Sequence, residues 1–318
     1  IAERRRPQDG RFSARTDDKE FDVRVACANT VYGEMAVLRL LPKSGLMLDL
    51  AGLGFLQGTL EKYKRVIGFP FGMIILGGPT GSGKTTTLYA SVNMLNRIER
   101  NIMTIEDPVE YQFAGINQFQ VNPKAGVDFA TSLRSFMRLD PDVILVGEIR
   151  DVETARIATQ AAITGHLVFS SVHANDAVGV MMRLVDLGVE TYFVCSALAC
   201  SVSQRVVRRI CQQCKEPYEP SAEERLAYQR EMGESPPRLY RGIGCNFCSD
   251  TGYVGRVGIF ELLIPTEGVK QLLIKGATVG EIREQAVKDG MVSLMHDGMM
   301  KVKSGITTIS EVLRQVFY

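Results

Sequence analysis

The sequence predicts an α/β protein built on a parallel sheet, with a small partial α+β domain before it and a cysteine-bearing lobe and helical region after it. Three observations carry that prediction. From Phe69 onward, short apolar runs alternate with helical stretches, as in a sheet covered by helices on both faces. One run is followed at once by a glycine-rich loop, Gly78, Pro79, Thr80, Gly81, Ser82, Gly83, Lys84 and Thr85, that opens a helix. Beyond the last run stand two Cys-x-x-Cys pairs, Cys211 with Cys214 and Cys245 with Cys248.

The 318 residues leave room for two or three domains and a sizeable core. With 45% hydrophobic and 23% charged residues the composition is that of an ordinary globular protein. A net charge of +1 supplies no field that would draw the chain to nucleic acid or to an anionic membrane. The longest weakly charged stretch, Leu187 to Gln204, carries Glu190 and several polar residues and reads as a buried helix rather than a membrane span. No signal peptide is visible, and a start at Ile1 inside what reads as a domain suggests a fragment. Seven cysteines in a chain of cytosolic character argue against a disulfide framework.

Residues 1–55 form the partial N-terminal domain. Phe21 to Val25 and Met35 to Leu41 alternate apolar and polar residues like antiparallel strands, between turn signals at Pro7 to Gly10 and at Tyr32-Gly33. Arg24 and Arg39 lie on these strands, where spacing alone gives solvated side chains, and Arg4 to Arg6 reads as a surface patch. Residues 56–68 read as a linker, and the core occupies 69–209. Its four apolar runs are Met73 to Leu76, Ile102 to Ile105, Val143 to Val146 and Leu167 to Val172. After their carboxyl ends come, in turn, the glycine-rich loop, Glu106 with Asp107 and Glu110, Glu148, and His173. Open α/β sheets bind ligands along that edge, so these residues should converge on one site.

The loop matches Gly-x-x-x-x-Gly-Lys-[Ser/Thr], the ATP phosphate-binding pattern, in its expected strand-loop-helix setting. Its glycines let backbone N–H groups face phosphate oxygens, and the helix start running on through Thr86 adds partial positive charge. Lys84 would neutralise the β- and γ-phosphates, and the Thr85 hydroxyl would ligate Mg²⁺. Glu148 follows the third run, where Gly147 replaces the usual Asp, so Glu148 would reach the metal through water or act as base. Glu106 is the other candidate for orienting the attacking water. His166 and His173 bracket the fourth run.

A helix is expected over Thr191 to Arg209, before a tetracysteine lobe at 210–262. Cys211, Cys214, Cys245 and Cys248 offer four thiolates from two tight knuckles, the donor set of a closed structural Zn²⁺ site. The other cysteines, Cys27, Cys195 and Cys200, lack partner spacing and read as small buried residues. Residues 263–318 read as helical, with capping boxes at Thr278/Glu281 and Thr308/Glu311.

Taken together, these motifs resemble the GspE/PilB-type secretion ATPases of type II secretion and type IV pilus assembly, over nearly the whole chain. The resemblance rests on Gly78 to Tyr89 as Walker A, Ile105 to Tyr111 as an Asp box, Asp140 to Asp151 as a glycine-bearing Walker B, and Gly165-His166 through Asp176 as a His box. It rests also on Pro7 to Arg11, Tyr32 to Leu41, Thr251 to Leu262 and Gly305 to Thr308. It implies a RecA-like core, a preceding PAS-like domain of the N2 type, and an ATP-hydrolysing hexameric ring at the cytoplasmic face of the inner membrane. The implied partner is the inner-membrane platform protein, with no nucleic acid. It raises Arg24 and Arg39 to arginine fingers and makes His166 and His173 sensors of the γ-phosphate at the ring interface. A retraction ATPase is the nearest alternative, although that branch generally lacks the cysteine pairs; a catalytically weak ring scaffold is another. The chain departs from the family at Gly77, Leu139 and Ser171-Val172, where Thr, Gln and Thr-Leu are usual.

Overall fold

A computed structural model describes residues 5–16, 20–42, 49–236 and 238–316. Arg4, part of the basic run, lies outside them. The chain divides into two compact units, residues 1–47 and 48–318.

The described part of the first unit is an antiparallel sheet of β1 (Gln8–Arg15), β2 (Glu20–Thr30) and β3 (Gly33–Pro42). The signal at Pro7 to Gly10 does not make a turn, because β1 already starts at Gln8 and pairs with β2 throughout. Arg24 stands opposite Arg39 on one side and Arg11 on the other, a row of three arginines across the sheet.

The second unit begins with α1 (Gln57–Ile67), which occupies the expected linker. That expectation is corrected by packing: Tyr63, Val66 and Ile67 are at most 1% exposed and belong to the core. Replacing Ile67 with Ala should cost about 2–5 kcal/mol in denaturant unfolding, the price of a cavity. A true linker residue would cost nothing.

There follow β4 (Gly72–Gly77), α2 (Lys84–Leu95), β5 (Ile102–Glu106), β6 (Asn117–Gln120), α3 (Phe129–Phe136), β7 (Val143–Val146), α4 (Val152–Ile163), β8 (Leu167–Val172), α5 (Ala177–Asp186), α6 (Thr191–Ala197) and β9 (Leu198–Ile210). Beyond these lie β10 (Lys215–Tyr218), α7 (Ala222–Met232), β11 (Leu239–Gly242), β12 (Tyr253–Leu263), α8 (Glu267–Ile274), α9 (Val279–Lys288), α10 (Leu294–Lys303) and α11 (Ile309–Val316). The main sheet has the order β12-β9-β4-β8-β7-β5-β6, parallel except for β12. Its central strands are buried on both faces, which is why they read as unbroken apolar runs. Along β4, Met73 and Ile75 join one core with α3 to α6, while Ile74 and Leu76 join the other with α1 and α2.

The helix expected over Thr191 to Arg209 stops at Ala197, and the rest is β9. Two open strand edges decide the outcome: β9 pairs with β4 through Gly77 and with β12 from Ser201 to Ile210, and its Val and Ser residues suit a pleated surface. The box at Thr278/Glu281 is complete, whereas Glu311 turns its carboxylate to Arg208 instead of to the Thr308 N–H.

Candidate active site

The phosphate loop leaves the carboxyl end of β4 with Gly78, Gly81 and Gly83 at φ of 151°, 80° and 87°. This left-handed backbone disfavours any residue with a Cβ. Thr80, Gly81, Ser82, Gly83, Lys84, Thr85 and Thr86 line a cleft of about 580 Å³. Gly78 and Pro79 contribute through their carbonyls, which accept from Lys84 Nζ at 2.7 and 3.0 Å. Burial pulls the Lys84 ammonium below its ordinary pKa; Glu148 opposes the shift and Arg205 reinforces it. A triply charged phosphate tail would offer the ammonium stronger acceptors than these two neutral carbonyls.

The opposite wall comes from the ends of β5, β7 and β8, as the sheet-edge argument requires: Glu106, Asp107, Glu110, Glu148, Arg150 and His173 all line the cleft. The two candidate bases differ in their surroundings. Glu106 is 4% exposed and accepts from Tyr89 Oη, from Thr104 Oγ1 at 2.6 Å and from Gln118 Nε2 at 3.2 Å, so both its oxygens are engaged. Glu148 bonds Arg150, and its Oε2 lies 3.9 Å from His173 Nε2. Gly147 is held by its N–H to Ile105 O (2.8 Å) and by Ser171 Oγ donating to its carbonyl (2.9 Å). A Cβ there would sit 3.4 Å from the Glu106 Cα, an ordinary contact distance. By contrast, a Cβ at Gly77 would fall 2.2 Å from Val180 Cγ2, a packing reason for that departure. Thr85 and Glu148 together offer the hard oxygen donors Mg²⁺ takes beside a phosphate.

His166 is not part of this cleft. It stands before β8, its carbonyl accepting from Gly72 N–H and its Nδ1 lying 3.0 Å from Ala161 O. At ~3.3 Å per residue it is about 23 Å along the strand from His173. A pair that brackets a strand in sequence is necessarily split between opposite sheet edges. Arg24 and Arg39 belong to the first unit. Residues that the sequence reading gave no role also line the cleft: Arg150, Gln204, and Arg256, Val257 and Gly258 of β12. Arg150 had a signal, lying two residues past Glu148. Gln204 had none, since its stretch reads as helix.

The four cysteines form a separate cluster. Their sulfurs all lie within 4.8 Å of one another, with Cys211–Cys245 and Cys214–Cys248 at 3.9 Å and Cys245–Cys248 at 3.7 Å. A tetrahedron of about 2.3 Å metal–sulfur bonds has edges of about 3.8 Å, so the donors fit a four-sulfur metal site. Burial opposes ionisation of the Cys248 thiol, but N–H groups of Gly252 and Cys245, at 3.3 and 3.2 Å, help pull it down to about 7.

Comparison with known proteins bears on the whole chain. The profile of the family described as Type II/IV secretion system protein matches residues 1–314. The type IV pilus assembly ATPase PilB of Myxococcus xanthus is 46% identical over 98% of this chain and 56% of its own length. The type II secretion system ATPase E of Vibrio cholerae is 47% identical over 99% of this chain and 62% of its own. The chain thus spans little more than half of these relatives. Among solved structures, the pilus retraction motor PilT with bound ADP superposes with a TM-score of 0.70 at 27% identity, covering 96% of this chain and 77% of that one.

Proposed function

From the premise that the chain belongs to the Type II/IV secretion system protein family, we propose that it is the ATP-hydrolysing core of a ring motor that drives assembly of a type II secretion pseudopilus or a type IV pilus. The observation that carries the reading is one cleft lined by the phosphate loop from Thr80 to Thr86 together with Glu148, Arg150 and His173. ATP would bind there, and Thr85 with Glu148 would hold the Mg²⁺ that neutralises phosphate charge. Lys84 leaves the Gly78 and Pro79 carbonyls for the β- and γ-phosphates. Glu148 is the base, because its side chain is 17% exposed, whereas Glu106 is 4% exposed with its oxygens held by neighbouring donors, and Glu106 instead orders the wall through Tyr89 and Gln118. Arg24 and Arg39 of a neighbouring copy serve as arginine fingers, stabilising charge on the transferring phosphoryl group.

The four cysteines would hold Zn²⁺ as a structural site, the chain supplying all four donors. Six copies form the ring, which works at the cytoplasmic face of the inner membrane against a platform protein. No helix among the described residues is long and apolar enough to cross a membrane. Retraction is the second reading, favoured by the likeness to PilT; identities of 46% and 47% to assembly and secretion ATPases, against 27%, place it behind.

The test is steady-state ATPase activity against protein concentration, with mass read in parallel by light scattering. Activity per chain should rise steeply as an assembly of about six chains forms. Equal activity per chain in the monomer would refute fingers supplied by a neighbour, and absence of hydrolysis at any concentration would leave the scaffold reading.

A further inference from the structure

A buried chain of hydrogen bonds runs from α1 through the phosphate-loop helix to β9. Tyr63 Oη and Ser91 Oγ are 2.8 Å apart, Ser91 Oγ donates to Thr87 O at 2.7 Å, and Thr87 Oγ1 donates to Gln204 Oε1 at 2.8 Å. Tyr63, Ser91 and Thr87 are 0% exposed and Gln204 is 3%. None of their buried polar atoms lacks a partner, whereas Ser82 Oγ, on the loop itself, does.

The far end of this chain closes on the loop. Gly83 carries the left-handed turn that starts α2, and its carbonyl accepts from Thr87 N–H at 3.1 Å. The Gln204 amide lies against the same glycine: a Cβ at Gly83 would be 2.7 Å from Gln204 Nε2, and one at Gly78 would be 2.6 Å from Gln204 O. One residue of β9 therefore backs both ends of the loop and is bonded to the first turn of its helix. Buried hydrogen bonds of this kind are costly to leave half made, so they select one backbone arrangement.

We propose that Gln204 is a positioning residue for the phosphate loop, acting through Thr87 and Gly83 to hold the loop in its phosphate-accepting shape before nucleotide arrives. The proposal rests on the nucleotide-binding reading of the cleft. A loop left to sample other shapes binds more weakly by the fraction of time it is competent. The loss should fall on affinity and KM, with kcat at saturating nucleotide largely kept.

Gln204→Met keeps the length of the side chain and removes the acceptor, and Thr87→Val removes the donor at constant shape. Binding of mant-ATP with Mg²⁺ should weaken about tenfold in each variant, as expected for one buried hydrogen bond, and by no more in the double variant. Melting temperature is followed alongside, and Thr87→Ser, which restores the hydroxyl, should recover the affinity. Unchanged affinity in either single variant overturns the proposal, as does a double variant weakened about a hundredfold, which would mean two independent effects. If Gln204→Met does not fold, Thr87→Val decides alone. Absence of mant-ATP binding by the unaltered protein fails the nucleotide reading itself, and this proposal with it.

Discussion

Glu148→Gln is expected to lower ATP turnover by about 10²–10⁴-fold while leaving nucleotide affinity within a few-fold of the unaltered protein. The change keeps shape and one acceptor oxygen but removes the charge that takes a proton from attacking water. Binding is spared because the phosphates are held by the loop and Lys84, on the other wall of the cleft. The measurement is single-turnover hydrolysis beside mant-ATP binding. Normal hydrolysis would take Glu148 out of the chemistry. Glu106→Gln makes the contrast. Its carboxylate accepts from Tyr89, Thr104 and Gln118, and an amide can accept at only one end, so that variant should lose stability as well as rate.

The second large effect is expected at the cysteines. Removing the proposed Zn²⁺ with a thiol-reactive agent and chelator, or replacing Cys211 with Ser, should unravel the two knuckles at Cys211–Cys214 and Cys245–Cys248. Apparent zinc-binding energies for four-ligand sites are of order 10 kcal/mol, and in the knuckles they have little competition. The four cysteines make a buried cluster of their own, apart from the three aliphatic cores. The helix α7 should outlast the knuckles, because Tyr228 is fully buried against Leu294 and Met299 of α10 in a different core. Limited proteolysis with metal analysis by mass spectrometry reads the result. A cleavage pattern and melting temperature unmoved by metal removal would refute the structural role.

Much of the core was legible because its signals are local. Each of the four central strands is a buried run followed by residues that line the cleft, and a parallel sheet forces those residues onto one edge. The same logic separates His166 from His173, since strand direction puts one at each edge. What could not be read depends on pairing between distant segments. The 198–210 stretch has no intrinsic strand pattern strong enough to exclude helix, and becomes β9 only because β4 and β12 flank it. Gln204, Arg256 and Gly258 come to the cleft by that pairing alone. The helix α1 is different: Leu60, Tyr63, Val66 and Ile67 recur at helical spacing, a local signal outweighed by the glycines at Gly52, Gly54 and Gly58, and Tyr63, Val66 and Ile67 lie in one core with Ile74 and Leu76 of β4.

In mechanical terms β9 is a tie rod braced along its length. From Leu198 to Ser203 it is gripped in the sheet against β4, with Gly77 opposite Ser203. From Gln204 to Ile210, six steps or about 20 Å at ~3.3 Å per residue, its strand partner is β12. Over that length Val207 is buried in one core with Val302, Ile309 and Val312, Arg208 is bonded to Glu311, and the Ile210 N–H to Ile306 O. One end of the rod walls the cleft and the other runs into Cys211, so the two places are joined by one braced backbone and not by a loose joint.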